Sequence, residues 1–76
     1  MSAKLRQFTG RELIAVLRRH GFEIDRQSGS HVIMIHRDGR RVTVPVHAGR
    51  TLGKGLLRSL MSDARLTRED LETWNE

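Results

Sequence analysis

The stretch RQSGSHVIMIHRDGRRVTVPVH, residues 26–47, decides the fold. Two runs rich in β-branched residues flank Asp38-Gly39, a pattern that predicts a β-hairpin. Three of the four histidines, His31, His36 and His47, fall within it. Loop length settles which of them are buried, because a one-residue slip in register turns every side chain of a strand to the opposite face. With a two-residue loop at Asp38-Gly39, Arg37 faces Arg40, and His31 shares a face with Val44 and Val46. With a three-residue loop, Arg37-Asp38-Gly39, His36 faces Arg40, and Val32 and Met34 meet Val44 and Val42 in the core. The second register is favoured, since the first buries an imidazole among valines and exposes Val32 and Met34. It puts His31 on the open face opposite Pro45, with Thr43 and His47 as neighbours, and turns Ile33 and Ile35 outward. Two outward isoleucines on one strand either meet a protein partner or are covered by the last helix or the N-terminus.

Outward from the hairpin, helix signals stand on both sides. Thr9 and Glu12 form a capping box, Phe8 and Leu13 a hydrophobic staple, and Leu13, Ile14, Val16 and Leu17 one apolar face. Gly21 follows where left-handed backbone ends a helix, so a helix is predicted over residues 10–20, with His20 favoured at its end by the dipole. Strands are predicted over 22–26, 30–36 and 40–47. In the last, Val42, Val44 and Val46 alternate with Arg41, Thr43, Pro45 and His47. Pro45 has no N–H to donate and belongs near a strand end or edge. After the loop HAGRTLGKG, Leu56, Leu57, Leu60, Met61 and Ala64 recur at helical spacing, predicting a second helix over 53–64. Thr67 caps a last short helix, with Leu66 and Leu71 as its staple and Trp74 as an apolar lid near the terminus. The order is α-β-β-β-α with a short C-terminal helix. It describes one α+β domain over residues 1–76, a three-stranded antiparallel sheet with helices on one face and the other face left for a partner.

A chain of 76 residues has little core to spare, and without cysteine it has neither disulfides nor thiolate metal sites to reinforce it. The net charge is +5, unevenly spread: residues 1–61 hold twelve basic and four acidic side chains, and residues 62–76 hold two and five. Twelve of the fourteen cations are arginine, whose planar fork suits phosphate, so a polyanionic partner is expected. No segment resembles a signal peptide or approaches the roughly 20 apolar residues needed to cross a bilayer, so a cytoplasmic protein is expected.

An imidazole at His31 rimmed by Arg37, Arg40, Arg41, Arg50 and Arg58 suits RNA cleavage. A base working near neutral pH takes the proton of a 2′-hydroxyl, which attacks the neighbouring phosphate while cations stabilise the accumulating charge. Neither metal nor cofactor is required, and DNA, lacking that hydroxyl, is left uncut; no DNA binding by this chain alone is expected. A metal site from His31, His36 and His47 fits poorly, because His36 alternates away from His31 and no carboxylate has matching spacing. GRTLGKG offers backbone N–H groups, a helix N-terminus and Lys54 to an anion, or serves as an ordinary helix start. It is not a nucleotide-binding P-loop, since Gly55 and Leu56 follow Lys54.

The ordered set GSH at 29–31, VPVH at 44–47 and GRTLGKGLLRSL at 49–60 resembles the HicA family of bacterial toxin–antitoxin systems. The resemblance spans residues 9–71. It implies a fold like double-stranded-RNA-binding domains and the activity of an mRNA interferase. It also implies an essential histidine after the Gly-Ser turn, here His31. The Pro-x-His step puts His47 at a recurring position, where it would help position the phosphate with the arginines and Lys54. Leu56 departs from the pattern, standing where many members carry threonine. The resemblance further implies a HicB-type antitoxin that covers the active face, giving Ile33, Ile35 and the arginine rim a second role. Two other readings remain at this point: a module that holds structured RNA without cutting it, and a protein whose open face serves only a protein partner.

Overall fold

The computed structural model describes residues 6–73; Trp74 lies outside the described residues. The element order is α1 (Gly10–Arg19), β1 (Phe22–Ser28), β2 (His31–His36), β3 (Arg41–Pro45), α2 (Lys54–Ala64) and α3 (Arg68–Glu72). This is the α+β order expected from the sequence, with an open antiparallel sheet in the order β1-β2-β3.

The helix starts follow from local chemistry. Thr9 Oγ1 accepts from the Glu12 N–H at 3.1 Å, and the Glu12 carboxylate accepts from the Thr9 N–H at 2.9 Å. Thr67 and Asp70 repeat that reciprocal box at α3. Phe8 with Leu13, and Leu66 with Leu71, are buried on either side of these caps, as staple pairs should be. α2 starts differently. Its N-cap, Gly53, has no side chain to offer, and no acidic residue lies in its first turn.

In the β2–β3 hairpin, Val32 pairs with Val44, Met34 with Val42 and His31 with Pro45. The His36 N–H bonds to the Arg40 carbonyl at 2.9 Å and Gly39 has a φ of 101°, so the loop is the three-residue one. β1 runs two residues further than predicted. A bulge between Ile24 and Arg26 absorbs one residue, so Gln27 still pairs with Val32 and Ser28 with His31, and the turn contracts to Gly29-Ser30. Gly29 has positive φ and supplies the left-handed first position that such a turn requires. β3 ends at Pro45 rather than at residue 47. A single further bond, from the Val46 N–H to the Ser30 carbonyl at 2.7 Å, keeps the chain alongside β2.

The core lies between the sheet and the helices. Phe22, Val32, Met34, Val42 and Val44 meet Leu13, Val16 and Leu17 of α1 and Leu57, Leu60 and Ala64 of α2, with Phe8, Leu52, Leu66 and Leu71 closing the ends. Each fully buried large apolar side chain contributes about 1.5–3 kcal/mol.

Three close approaches fix which way the helices run. The first turn of α1 lies on the end of β3, where a Cβ at Gly10 would clash with the Pro45 carbonyl. At the other end of α1, a Cβ at Gly21 would stand 2.8 Å from His36 Nε2. The last carbonyl of α2, Ala64, accepts from Arg40 Nη1 beside the β2–β3 turn. Both helices therefore start at the end of the sheet where His31 begins β2, and finish at the end where His36 closes it.

Candidate functional site

His31 is the first residue of β2, held between Ser28 on one side and Pro45 on the other. Directly paired residues point to the same face, so its flanks are a hydroxymethyl group and a pyrrolidine ring, both short. The imidazole is exposed, and among the described residues it has no hydrogen bond or ion pair. Register thus sets its position while leaving both ring nitrogens open to a ligand.

The same end of the molecule gathers other groups that favour anions. His47 follows β3 by two residues and is exposed, and its carbonyl accepts from the Arg50 N–H at 3.0 Å in a turn that uses Gly49 at a φ of 74°. The Leu52 N–H then bonds to the Phe8 carbonyl at 2.7 Å, pinning the loop against the start of α1. Lys54 follows at once as the first residue of α2, whose uncapped N–H groups carry the positive end of the helix dipole.

Other predicted rim residues lie elsewhere. Arg37 is in the β2–β3 turn at the far end of the sheet. Arg41 pairs with Ile35, four residues along β2 from His31 and so most of a strand's length away. Arg58 is exposed one turn into α2, in the helix layer.

Arg40 corrects the expectation. It belongs with His36 on the helix side of the sheet, where its guanidinium lies 5.0 Å from the Phe22 ring centroid, bonds to the Ala64 carbonyl and pairs with Asp38 at 2.9 Å. The three-residue loop causes this, because it places Arg40 opposite His36, which faces the core and meets the Phe22 ring edge-on at 5.1 Å. The hydrogen bonds from Arg40 hold the Asp38 carboxyl at about 2, with the charges of Arg40 and His36 adding to the effect.

Ile33 is a second correction. It lies on the open face opposite Thr43 and Arg26, but only 8% of it is exposed. On the central strand it is flanked from both sides, whereas Ile35 nearer the strand's end stays 39% exposed. Sequence reasoning missed Arg26, which the bulge brings onto the open face, where it pairs with Ile33, the next open-face residue of β2 after His31. No periodicity signals a bulge, so the residue was out of reach. Among the described residues no three His, Cys, Asp or Glu side chains converge to hold a metal, and no helix is long and apolar enough to cross a membrane.

A helix-backed sheet whose free face begins with an unencumbered imidazole, at the end where both helices start, defines a class of small basic α+β domains suited to an anionic ligand. The chain belongs to the HicA toxin family of bacterial toxin–antitoxin systems, whose model matches residues 10–66. Comparison with curated proteins finds no match. As a toxin of such a system, it has a cognate antitoxin as partner.

Proposed function

We propose that the protein is an endoribonuclease that cuts mRNA, with His31 as its acid/base residue and no metal required. The observation that carries this reading is His31 itself: exposed, without a competing partner, and set by register at the end of the sheet where His47, Arg50 and Lys54 gather. His31 takes the proton from a ribose 2′-hydroxyl, and that oxygen attacks the adjacent phosphorus. The bond to the 5′-oxygen breaks, and that oxygen takes a proton from solvent water as it leaves, giving a 2′,3′-cyclic phosphate and a 5′-hydroxyl, while the proton on His31 returns to solvent. Arg50, Lys54 and the start of α2 stabilise the charge that builds on the phosphate, and His47 helps position it. Arg26 joins this group, and Arg41 and Arg37 lie where the RNA on either side of the cut would pass. Arg58 serves more distant phosphates.

The antitoxin, on this reading, is of HicB type and covers the open face, with Ile35 and Arg41 among its contacts. Blocking access to His31 is then enough to silence the toxin.

The chemistry is tested with an oligodeoxynucleotide carrying a single ribonucleotide. A cut only on the 3′ side of that ribose, leaving cyclic phosphate and 5′-hydroxyl ends, is expected. Cutting of the all-deoxy strand, or 5′-phosphate products, contradicts the mechanism.

A further inference from the structure

On α1, Arg11, Ile14, Ala15 and Arg18 recur at i, i+3, i+4 and i+7, so they share one face. With Gln27, Val32 and Val46 from the sheet, that face lines a groove of about 370 Å³. Volumes of ~300–1,000 Å³ are those in which compact ligands are held. Its floor is aliphatic: Ile14, Ala15, Val32 and Val46. Its two arginines are exposed, and among the described residues neither pairs with a carboxylate. Gln27 Nε2 donates to the Gly29 carbonyl at 3.1 Å, which leaves Oε1 and the second N–H for another partner.

The groove adjoins His31. Gln27 pairs with Val32, and the next pair along is Ser28 with His31. The floor therefore ends one residue from the imidazole, on the other face of the sheet, and only the Gly29-Ser30 turn separates the two around the sheet's end. Aliphatic walls accept the flat faces of a nucleobase, and a carboxamide offers the donor and acceptor pair that a base edge can match. Two guanidiniums suit phosphates. An acidic protein segment would use the arginines, but the carboxamide at the turn beside His31 offers the paired donor and acceptor that a base edge takes.

We propose that this groove seats one nucleotide of the RNA neighbouring the scissile one, its base against the aliphatic floor and Gln27, its phosphates on Arg11 and Arg18. The inference rests on the ribonuclease reading and adds to it a subsite that selects and positions the strand. RNA then bends around the Gly29-Ser30 turn, from the helix side of the sheet to His31.

The test compares cleavage kinetics on a short oligoribonucleotide, and cut positions on a random-sequence RNA pool, for wild type and three variants of the full chain. Arg11→Ala/Arg18→Ala, both exposed positions, should raise KM at least tenfold with kcat changed less than twofold. Ala15→Leu, which fills the slot and keeps every charge, should raise KM similarly. Gln27→Ala should redistribute the bases found beside the cut. Thermal melts check that each variant is folded. If the folded variants cut with wild-type KM and wild-type base preference, the groove proposal is overturned while the ribonuclease reading stands. Loss of antitoxin binding with RNA kinetics unchanged overturns it too, and marks a protein contact. If the wild type cuts no RNA under any condition, the ribonuclease reading fails first and the subsite falls with it.

Discussion

At the scale of single residues, the two hairpin histidines show how register alone separates a packed imidazole from an exposed one. His31 and His36 open and close the same strand, yet an odd number of steps turns them to opposite faces. His36 Nδ1 accepts the Asp38 N–H at 3.1 Å and the ring packs on Phe22, so its work is structural. Arg40 is structural as well, and Arg40→Ala removes its contacts to Ala64, Phe22 and Asp38 together. A loss of about 1–3 kcal/mol, measured by denaturant unfolding, is expected from a partly buried charged hydrogen bond and a cation–π contact. Asp38 gives the fold an acid limit. Its carboxyl is held at about 2, below the ordinary 3.8, so its contribution is complete above the ordinary value and is lost as pH falls through about 2. Glu12, held low mainly by the Thr9 N–H, and Asp70, held low mainly by the Thr67 N–H, act in the same direction. Melting temperature should therefore fall as pH drops from about 4 towards 2, and Asp38→Asn should flatten that fall. A profile unchanged by the substitution would remove Asp38 from this account.

At the scale of elements, the helix caps, the staples and the three-residue hairpin loop were all legible in the sequence. Each depends on residues a few positions apart. The extension of β1 was not, because a bulge satisfies pairing at a distance and leaves no mark on local alternation. The side taken by Arg40 was legible in principle: the register that exposes His31 also sends Arg40 inward, and only its charge suggested otherwise. The groove on α1 was hidden for another reason. Ile14 reads as part of the helix's core-facing side, and only the finished packing shows that it and Ala15 line a groove beside two arginines. The end of α2 carries a small strain, since Arg65 adopts the left-handed conformation that glycine accepts without penalty. Arg65→Gly relieves that strain but frees the unfolded chain, and should raise stability by about 0.5–1 kcal/mol. A drop of that size in the unfolding free energy would mean the arginine side chain makes a contact worth more than the strain.

At the scale of the whole molecule, a small core and an uneven charge distribution work together. The helices cover one face of the sheet, the starts of α1 and α2 converge on one end, and four of the eight acidic side chains among the described residues, Asp63, Glu69, Asp70 and Glu72, follow residue 61, away from that end. RNA binding that uses Arg26, Arg50, Lys54 and one or two cations of α1 engages roughly four to five phosphates. The logarithm of affinity should fall against the logarithm of salt concentration with a slope of about −3 to −3.5. A slope near zero would leave the basic charge without a role in binding. The architecture of this arrangement was legible from hydrophobic spacing, and the exposure of His31 from loop length. Which cations share its end of the sheet depended on where the chain turns, and only the three-dimensional structure placed them.

The most direct measurement is cleavage of mRNA by purified wild type, His31→Ala and His36→Ala, with RNA affinity recorded for each. Wild type should cut. His31→Ala should lose about 10²–10⁴-fold in rate, the range for a positioned acid/base group, and keep affinity within about twofold. His36→Ala should keep the rate wherever it remains folded. Undiminished cutting by His31→Ala, or firm RNA binding by a wild type that never cuts, would contradict the assignment of His31 as the catalytic base.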